Sequence, residues 1–406
     1  HRRFTCWHTY MAGWGFGDFE VPNQPLCYSK TLNARSFTPT WLSKRSLTPA
    51  FHLLADFLYG TLTSQPNHRP AAGMSAPVED FRRLLRERGF IQTDAAELTP
   101  LPGGVSSEIY LVVEGERRFV VERALSKLKV KADWFASTSR NRLEQEYIRY
   151  VGAFRPDSMP TIYRTDDEAG LFSMEYLDGF RNWKQDLLAG DCDPSVARQA
   201  GQLLGEVHAR SWGDEGLQRR FDAIGNFDQL RIDPYLRATA ARHPRLAPAL
   251  LAEADRLTRS RQCLIHGDYS PKNMLHLEGR LVPLDCEVAC FADAAFDLSF
   301  LLCHLLIKGL YHAPRAEPFH ALAMTARSGY AESSPAHMEE VEDNSARLLP
   351  LLMLARVDGK SPVEYLAPPQ QEFIRQFVDD KRADSDHDLD RLITTWFHSL
   401  PSPQTK

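Results

Sequence analysis

One stretch of the chain carries residue types that could move a phosphoryl group: Leu264-Ile265-His266-Gly267-Asp268-Tyr269-Ser270-Pro271-Lys272-Asn273-Met274-Leu275, followed by Leu284-Asp285-Cys286-Glu287. Phosphoryl transfer from ATP leaves a protein little covalent chemistry; it must position a hydroxyl nucleophile and hold magnesium against the phosphates. Two carboxylates and an amide carbonyl suffice. Asp268 would accept the hydroxyl proton, Asn273 would bind one magnesium through its side-chain oxygen, and Asp285 would bridge the metal ions, because oxygen ligands suit a hard cation. A lone Asp is more often a turn former or a strand-end cap. The chemical reading gains from spacing, with Asn five residues after Asp268 and Asp285 twelve after that Asn. The run Cys263 to Ile265 is apolar, a polar loop follows, Met274-Leu275-His276-Leu277 resumes the pattern, and Gly279 breaks it before Leu281 to Leu284. This predicts a loop feeding a hairpin whose second strand delivers Asp285.

On these positions, Leu264 to Leu306 resembles the catalytic core of the aminoglycoside phosphotransferase, choline kinase and methylthioribose kinase superfamily. His266, Gly267, Asp268, Asn273, Asp285, Asp297 and Leu298 carry the resemblance. It implies an α+β, protein-kinase-like bilobal fold, with a small β-rich N-terminal lobe and a larger, mostly helical C-terminal lobe. It implies Asp268 as catalytic base, Asn273 and Asp285 as metal ligands, and Asp297 as a structural residue bracing the catalytic loop. Asp285-Cys286-Glu287 is also similar to the Asp-x-Glu of methylthioribose kinases, which adds Glu287 to the magnesium shell. Lys272, just before the metal-binding Asn, either reaches a transferring phosphate or is solvated.

The elements that must position this loop can be placed around it. Thr99 to Ser107 contains Gly103, Gly104, Ser106 and Ser107 ahead of the apolar Ile109 to Val112. Glycines there permit close approach of backbone to phosphates, and equally an ordinary hairpin turn. On the strand Arg117 to Ala124 the resemblance puts Glu122 where the family carries a lysine for the nucleotide phosphates. A carboxylate there repels triphosphate, so either Glu122 points away and Arg123 or Lys127 reaches in, or nucleotide binding is impaired. Arg140 to Tyr147 reads as the helix whose glutamate pairs with that lysine. Glu144 fits best and Glu146 second, and both also fit a solvated helix face. Leu171 to Gly179 is an apolar strand ending in a turn where the family joins its lobes, so backbone around Glu175, Tyr176 and Leu177 would meet the adenine edge.

Helical spacing of apolar residues predicts helices over Ser195 to Ser211, Pro248 to Thr258, Phe296 to Leu310 and Ser345 to Val357. His208 is expected as a packed helix histidine. His304 and Lys308 share one helical face and are either core and rim residues or look into the substrate cleft. Arg356 to Pro362 suits either a helix C-cap at Gly359 or recognition of a small polar substrate. The expected organisation is a non-native or disordered extension over residues 1–73, a nucleotide lobe over 74–177, and a helical lobe over 178–406.

The 406 residues, 43% hydrophobic, can bury a full core, and a net charge of -5 offers no basic footprint for nucleic acid. No apolar run reads as a membrane span. The seven scattered cysteines form no disulfide framework, which favours a reducing cytoplasm. The sequence thus leads to an enzyme that uses ATP and Mg2+ to phosphorylate a hydroxyl of a small metabolite or aminoglycoside-like compound. Its alternative is a pseudokinase-like nucleotide-binding protein, motivated by Glu122. A protein kinase is disfavoured because no Ala-Pro-Glu follows Asp285.

Overall fold

Alternating apolar residues build the first layer. A computed structural model describes residues 76–101, 107–124, 139–381 and 387–401. The extension expected over residues 1–73 lies outside the described residues. A five-stranded antiparallel sheet runs in the order β1-β2-β3-β5-β4. Its strands are β1 (Glu97–Pro100), β2 (Ser107–Glu114), β3 (Arg117–Ala124), β4 (Ile162–Asp166) and β5 (Leu171–Glu175). Helix α1 (Ala76–Glu87) carries Glu79 in its first turn and buries Phe81 and Leu85, one turn apart, on this sheet. Phe81 stacks on Tyr110 with ring centroids 4.7 Å apart. Helix α2 (Ser139–Gly152) turns Tyr147, Ile148 and Val151 into a second cluster with Val120, Phe172 and Met174.

After β5 the chain passes through Tyr176 to Phe180 into β6 (Arg181–Asn182), the edge of a three-stranded sheet ordered β6, β8 (Met274–Leu277), β9 (Arg280–Pro283). Beyond it the fold is mostly helical: α3 (Trp183–Ala189), α4 (Pro194–Ser211), α5 (Ala247–Arg259), α6 (Ala294–Tyr311), α7 (Glu317–Ser333), α8 (Met338–Asp358), α9 (Pro368–Lys381) and α10 (Leu389–Ser399). Four of these contain the helices expected from spacing. The architecture is α+β, a β-rich N-terminal part followed by a helical C-terminal part. Gly73–Lys406 form one compact unit.

Helix α6 is by length and composition apolar enough to cross a membrane, contrary to the reading of the sequence. Its window is 94% buried inside the fold, which makes it the central core helix. Asp293 caps it, accepting a hydrogen bond from Ala295 N at 3.0 Å.

Helices α4 and α7 meet backbone to backbone because both place glycine at the crossing. A Cβ on Gly201 would stand 1.9 Å from Ala326 O, and one on Gly205 2.6 Å from Tyr330 O. Those neighbours are main-chain atoms and cannot rotate away. Gly201→Ala is therefore expected to destabilise the fold by about 3 kcal/mol, the upper end of ordinary overpacking. In Gly152→Ala the new Cβ would meet only Met159 Cβ at 3.7 Å, and that variant should be near neutral. Urea midpoints of the pair check this; equal midpoints would show that the helices can part freely.

Candidate active site

The loop expected to do chemistry begins where β7 (Cys263–Ile265), paired with β10 (Cys290–Ala292), ends. Asp297, in the first turn of α6, accepts from His266 N at 2.6 Å and from Gly267 N at 3.0 Å. One buried carboxylate thereby fixes two successive peptides. Gly267 has φ +77, and a Cβ there would lie 2.7 Å from Val288 O, so only glycine fits. Tyr269 donates its hydroxyl to Ala200 O at 2.8 Å and ties the loop to α4. His266 Nδ1 accepts from Asp268 N at 3.2 Å, and burial lowers the imidazole pKa. The ring is thus a neutral spacer between the loop and Cys286, whose sulfur lies 3.5 Å from Nε2.

Asp268 is 2% exposed. Its Oδ2 meets Arg231 Nη2 at 2.9 Å, Lys272 Nζ at 2.8 Å and Asn273 Nδ2 at 2.9 Å. Burial alone would raise its pKa, but Arg231 and then Lys272 overcome that and hold it well below the carboxylate range. Asn273 Nδ2 also donates to Asp268 O at 3.0 Å, which commits the amide nitrogen and leaves Oδ1 as the atom available to a cation.

The expected hairpin is present and explains why Asp285 arrives beside Asn273. Strand β8 (Met274–Leu277) pairs with β9 (Arg280–Pro283), and Met274 faces Pro283 across the pair. The turn residues Glu278 and Gly279 have φ 47 and 82. One step beyond the strands, Leu284 N donates to Asn273 O at 2.7 Å, and Asp285 follows with φ 62, a left-handed conformation that costs a non-glycine residue energy. The Asp285 side chain makes no hydrogen bond or ion pair among the described residues. Burial, more than any neighbour, raises its pKa.

These donors fit a magnesium ion that is completed by phosphate oxygens: one amide oxygen and one carboxylate, both hard. Among the described residues no group of three or more His, Cys, Asp or Glu could hold a metal by itself. Glu287 lies 3.3 Å from Arg140 Nη1.

Several side chains expected near the nucleotide have partners within the protein. Successive strand residues point to opposite faces. On β3 Glu122 is the one turned inward, and Arg123 is turned away to Glu108 Oε2, with Nε at 2.9 Å and its guanidinium 4.8 Å from the Phe81 ring centre. Arg123 is thus paired with Glu108. Glu144 is buried and accepts from Cys286 N at 3.4 Å, whereas Glu146 is held by Arg142 and Arg220 at 2.7 and 2.8 Å. Glu175 spends its side chain on Arg280 at 3.0 Å and its amide on Thr161 O at 2.8 Å. Tyr176 lies under the Arg118 guanidinium, 4.8 Å from its ring centre. Ser107 is buried at the start of β2 and hydrogen-bonds Glu122. Gly103, Gly104, Ser106 and Lys127 lie outside the described residues. Lys272 is turned onto Asp268. His208 is a packed core histidine, 2.9 Å from the Tyr330 hydroxyl.

Two residues were not singled out from sequence. Arg231 stands in a π-helical segment, Asp228–Arg237, with no motif around it. Arg140 precedes Glu144 by one helical turn, the one signal that could have marked it.

Glu122, Glu144, Asp285 and Glu287 share one electrostatic neighbourhood. Burial first, then Asp285 and Glu287, push Glu122 up to about 7, against a lowering hydrogen bond from Ser107. Burial and then Glu122 raise Glu144 as well. Because the folded-state pKa of Glu122 exceeds its ordinary 4.5, its contribution to stability is full below that value and lost as pH rises through about 7. Glu122→Gln should therefore raise stability at pH 8 by on the order of 3 kcal/mol and give no gain at pH 4. Urea denaturation at the two pH values checks it, and parallel stability-pH curves for variant and parent would contradict it.

The chain is similar to several known proteins. A methylthioribose kinase from Pectobacterium atrosepticum is 24% identical over 266 residues, covering 54% of this chain and 66% of that protein. One from Bacillus cereus is 20% identical over 255 residues, covering 56% and 65%. The match thus spans just under two thirds of these relatives' own length. Among solved structures, a choline kinase from Cryptosporidium parvum aligns over 78% of this chain and 99% of that one, at 13% identity and a TM-score of 0.49. Residues 97–336, more than half of the chain and including Leu264 to Leu275, match the model of the phosphotransferase enzyme family, and the chain belongs to that family.

Proposed function

We propose that this chain is an ATP- and magnesium-dependent phosphotransferase that phosphorylates a hydroxyl of a small metabolite or aminoglycoside-like compound. The observation that carries the reading is the Asp268 carboxylate, held by Asn273 on a loop braced by Asp297, with Asp285 delivered next to Asn273 by the β8–β9 hairpin. In this reading residues 74–177 form the nucleotide lobe and residues 178–406 the lobe of the catalytic loop.

Asp268 orients the acceptor hydroxyl and takes its proton as the oxygen bonds to the γ-phosphorus and the bond from that phosphorus to the ADP oxygen breaks. Magnesium, when bound, neutralises charge across the phosphates. Asn273 Oδ1 and Asp285 would hold it, with Glu287 adjoining. Arg231 keeps Asp268 ionised and aligned. Lys272, half-exposed and anchored only at its tip, can leave Asp268 for a phosphate oxygen. The relatives named methylthioribose kinase, together with Asp285-Cys286-Glu287, favour a sugar-like acceptor. The free thiols of Cys263, Cys286, Cys290 and Cys303, all buried, suit a reducing cytoplasm.

Glu122, turned into the site where the family carries a lysine, favours a second reading, a nucleotide-binding protein with weak or no catalysis. Incubating the full chain with ATP, magnesium and a metabolite extract, and following new phosphorylated products by mass spectrometry, separates the two. A magnesium-dependent product supports the enzyme. An ATP-induced thermal shift without product supports the binding protein, and neither result would overturn both.

A further inference from the structure

A second group of polar side chains, unused by the chemistry above, is linked to the Asp268 loop through the segment that carries Arg231 and Tyr235. Helix α6 brings in His304 and Lys308, α3 Lys184, α8 Arg356, and the following loop Tyr365. His304, Lys308 and Arg356 are 6%, 1% and 9% exposed. His304 Nε2, Arg356 Nε and the Tyr365 hydroxyl are buried and make no hydrogen bond among the described residues. Among the described residues Lys308 Nζ has only a 3.5 Å contact to His304 O and the Tyr365 ring at 5.6 Å. Arg356 uses Nη1 on the Tyr235 hydroxyl at 3.1 Å and Ser361 Oγ at 3.0 Å. Neither Lys308 nor Arg356 forms an ion pair with a carboxylate among the described residues; Glu364, the nearby acid, is taken by Lys184.

Burial and then Lys184 and Arg356 push the Lys308 ammonium down to about 7. Burial, Lys308, Arg356 and Lys272 do the same to His304. The cluster is therefore close enough to the catalytic loop to feel Lys272, which itself touches Asp268. Segment Asp228–Arg237 supplies a second link. Its Arg231 holds Asp268, and its Tyr235 meets Arg356. Buried cations without counter-charges are costly, and proteins commonly keep them where a ligand supplies the missing charge.

We infer that His304, Lys308, Arg356 and Tyr365 bind an anionic group, a carboxylate or a phosphate, carried by the hydroxyl acceptor itself. This rests on the phosphotransferase reading and narrows it to hydroxy acids or phosphorylated polyols. Polycationic acceptors such as aminoglycosides are disfavoured, since their ammonium groups would face Lys308 and Arg356.

The test uses the full chain. Calorimetry compares gluconate and glucose 6-phosphate with uncharged sorbitol and glucose, and inorganic phosphate competes in each titration. Turnover is then measured with the same four compounds. The anionic member of at least one pair should bind about 10- to 100-fold more tightly than its neutral counterpart, as expected for charge-assisted hydrogen bonds. The pair that responds distinguishes a carboxylate from a phosphate. Lys308→Met should remove about tenfold or more of that preference as a rise in KM, with kcat little changed and no effect on the neutral compound. Tyr365→Phe, which deletes one hydroxyl, should weaken anion binding in the same direction and guards against misfolding of the lysine variant. Equal affinity within both pairs, or an anion preference unchanged in both variants, would overturn the inference. Turnover without an anion preference would sink this pocket and leave the kinase reading. Anion binding without any turnover would leave the pocket and count against the kinase.

Discussion

Asp268→Asn is expected to lower turnover by about 10²- to 10⁴-fold, the usual contribution of a positioned general base, while nucleotide affinity stays nearly unchanged. Asparagine keeps the size of the side chain and can still accept a hydrogen bond from Arg231 or Lys272, so the loop, clamped by Asp297 and Tyr269, should hold its shape. It cannot take a proton. The effect should fall on kcat and not on binding, because Asp268 meets the amide nitrogen of Asn273 and not the oxygen proposed for the metal. With Arg231 and Lys272 both on Oδ2, the carboxylate is a weak base in the state seen here. In the proposed reaction it becomes competent once Lys272 leaves it for a phosphate oxygen. Lys272→Met should therefore raise the apparent pKa of the acid limb of the kcat/KM profile, since the second of the two named cations that depress Asp268 is removed. Steady-state kinetics with a turned-over acceptor, and calorimetry for ATP, check the claim. Full turnover in Asp268→Asn would show that the base lies elsewhere.

The parts of the site that sequence makes legible are those set by short-range geometry. His266-Gly267-Asp268 needs a left-handed glycine and a nearby carboxylate, and both are visible as residue types at fixed spacing. The β8–β9 hairpin has its Gly279 turn and its apolar strands, so the meeting of Asn273 and Asp285 follows from register alone. The parts that stayed hidden depend on which face of an element meets the cleft. Residues Glu122 and Arg123 are neighbours, and strand alternation guarantees that only one can point inward, but nothing local says which. The packing of Phe81 under Arg123 decides it, and that contact comes from a helix about forty residues away. Arg231 was hidden for a similar reason. A π-helical segment with Pro234 inside it has no regular period from which a face could be read. Helix α6 shows the converse failure. Its apolar length is plain in the sequence, yet its place at the centre of the core, and the burial of His304 and Lys308 that follows, is a property of the helices around it.

Replacing Asp285 should separate two roles that one residue holds together. Its half-buried carboxylate shares a neighbourhood with Glu122, Glu144 and Glu287, and its backbone sits at φ 62. In the metal-free protein both features oppose folding. Asp285→Gly relieves the backbone and should raise stability by about 1 kcal/mol, the scale of left-handed strain. Asp285→Ala removes the same charge but keeps the strained conformation, so it should be less stable than the glycine variant. Both should lose at least about 100-fold in kcat/KM, because a charge that faces magnesium and phosphate in the transition state is worth several kcal/mol. Asp285→Asn tolerates the backbone and keeps an oxygen, so it should fall between the parent and Asp285→Ala in activity. The opposing shifts in stability and activity are what a residue strained for function predicts. A glycine variant that is less stable than the alanine variant would show that the backbone at this position is not strained. An alanine variant with undiminished magnesium-dependent turnover would remove Asp285 from the metal site and take the proposed chemistry with it.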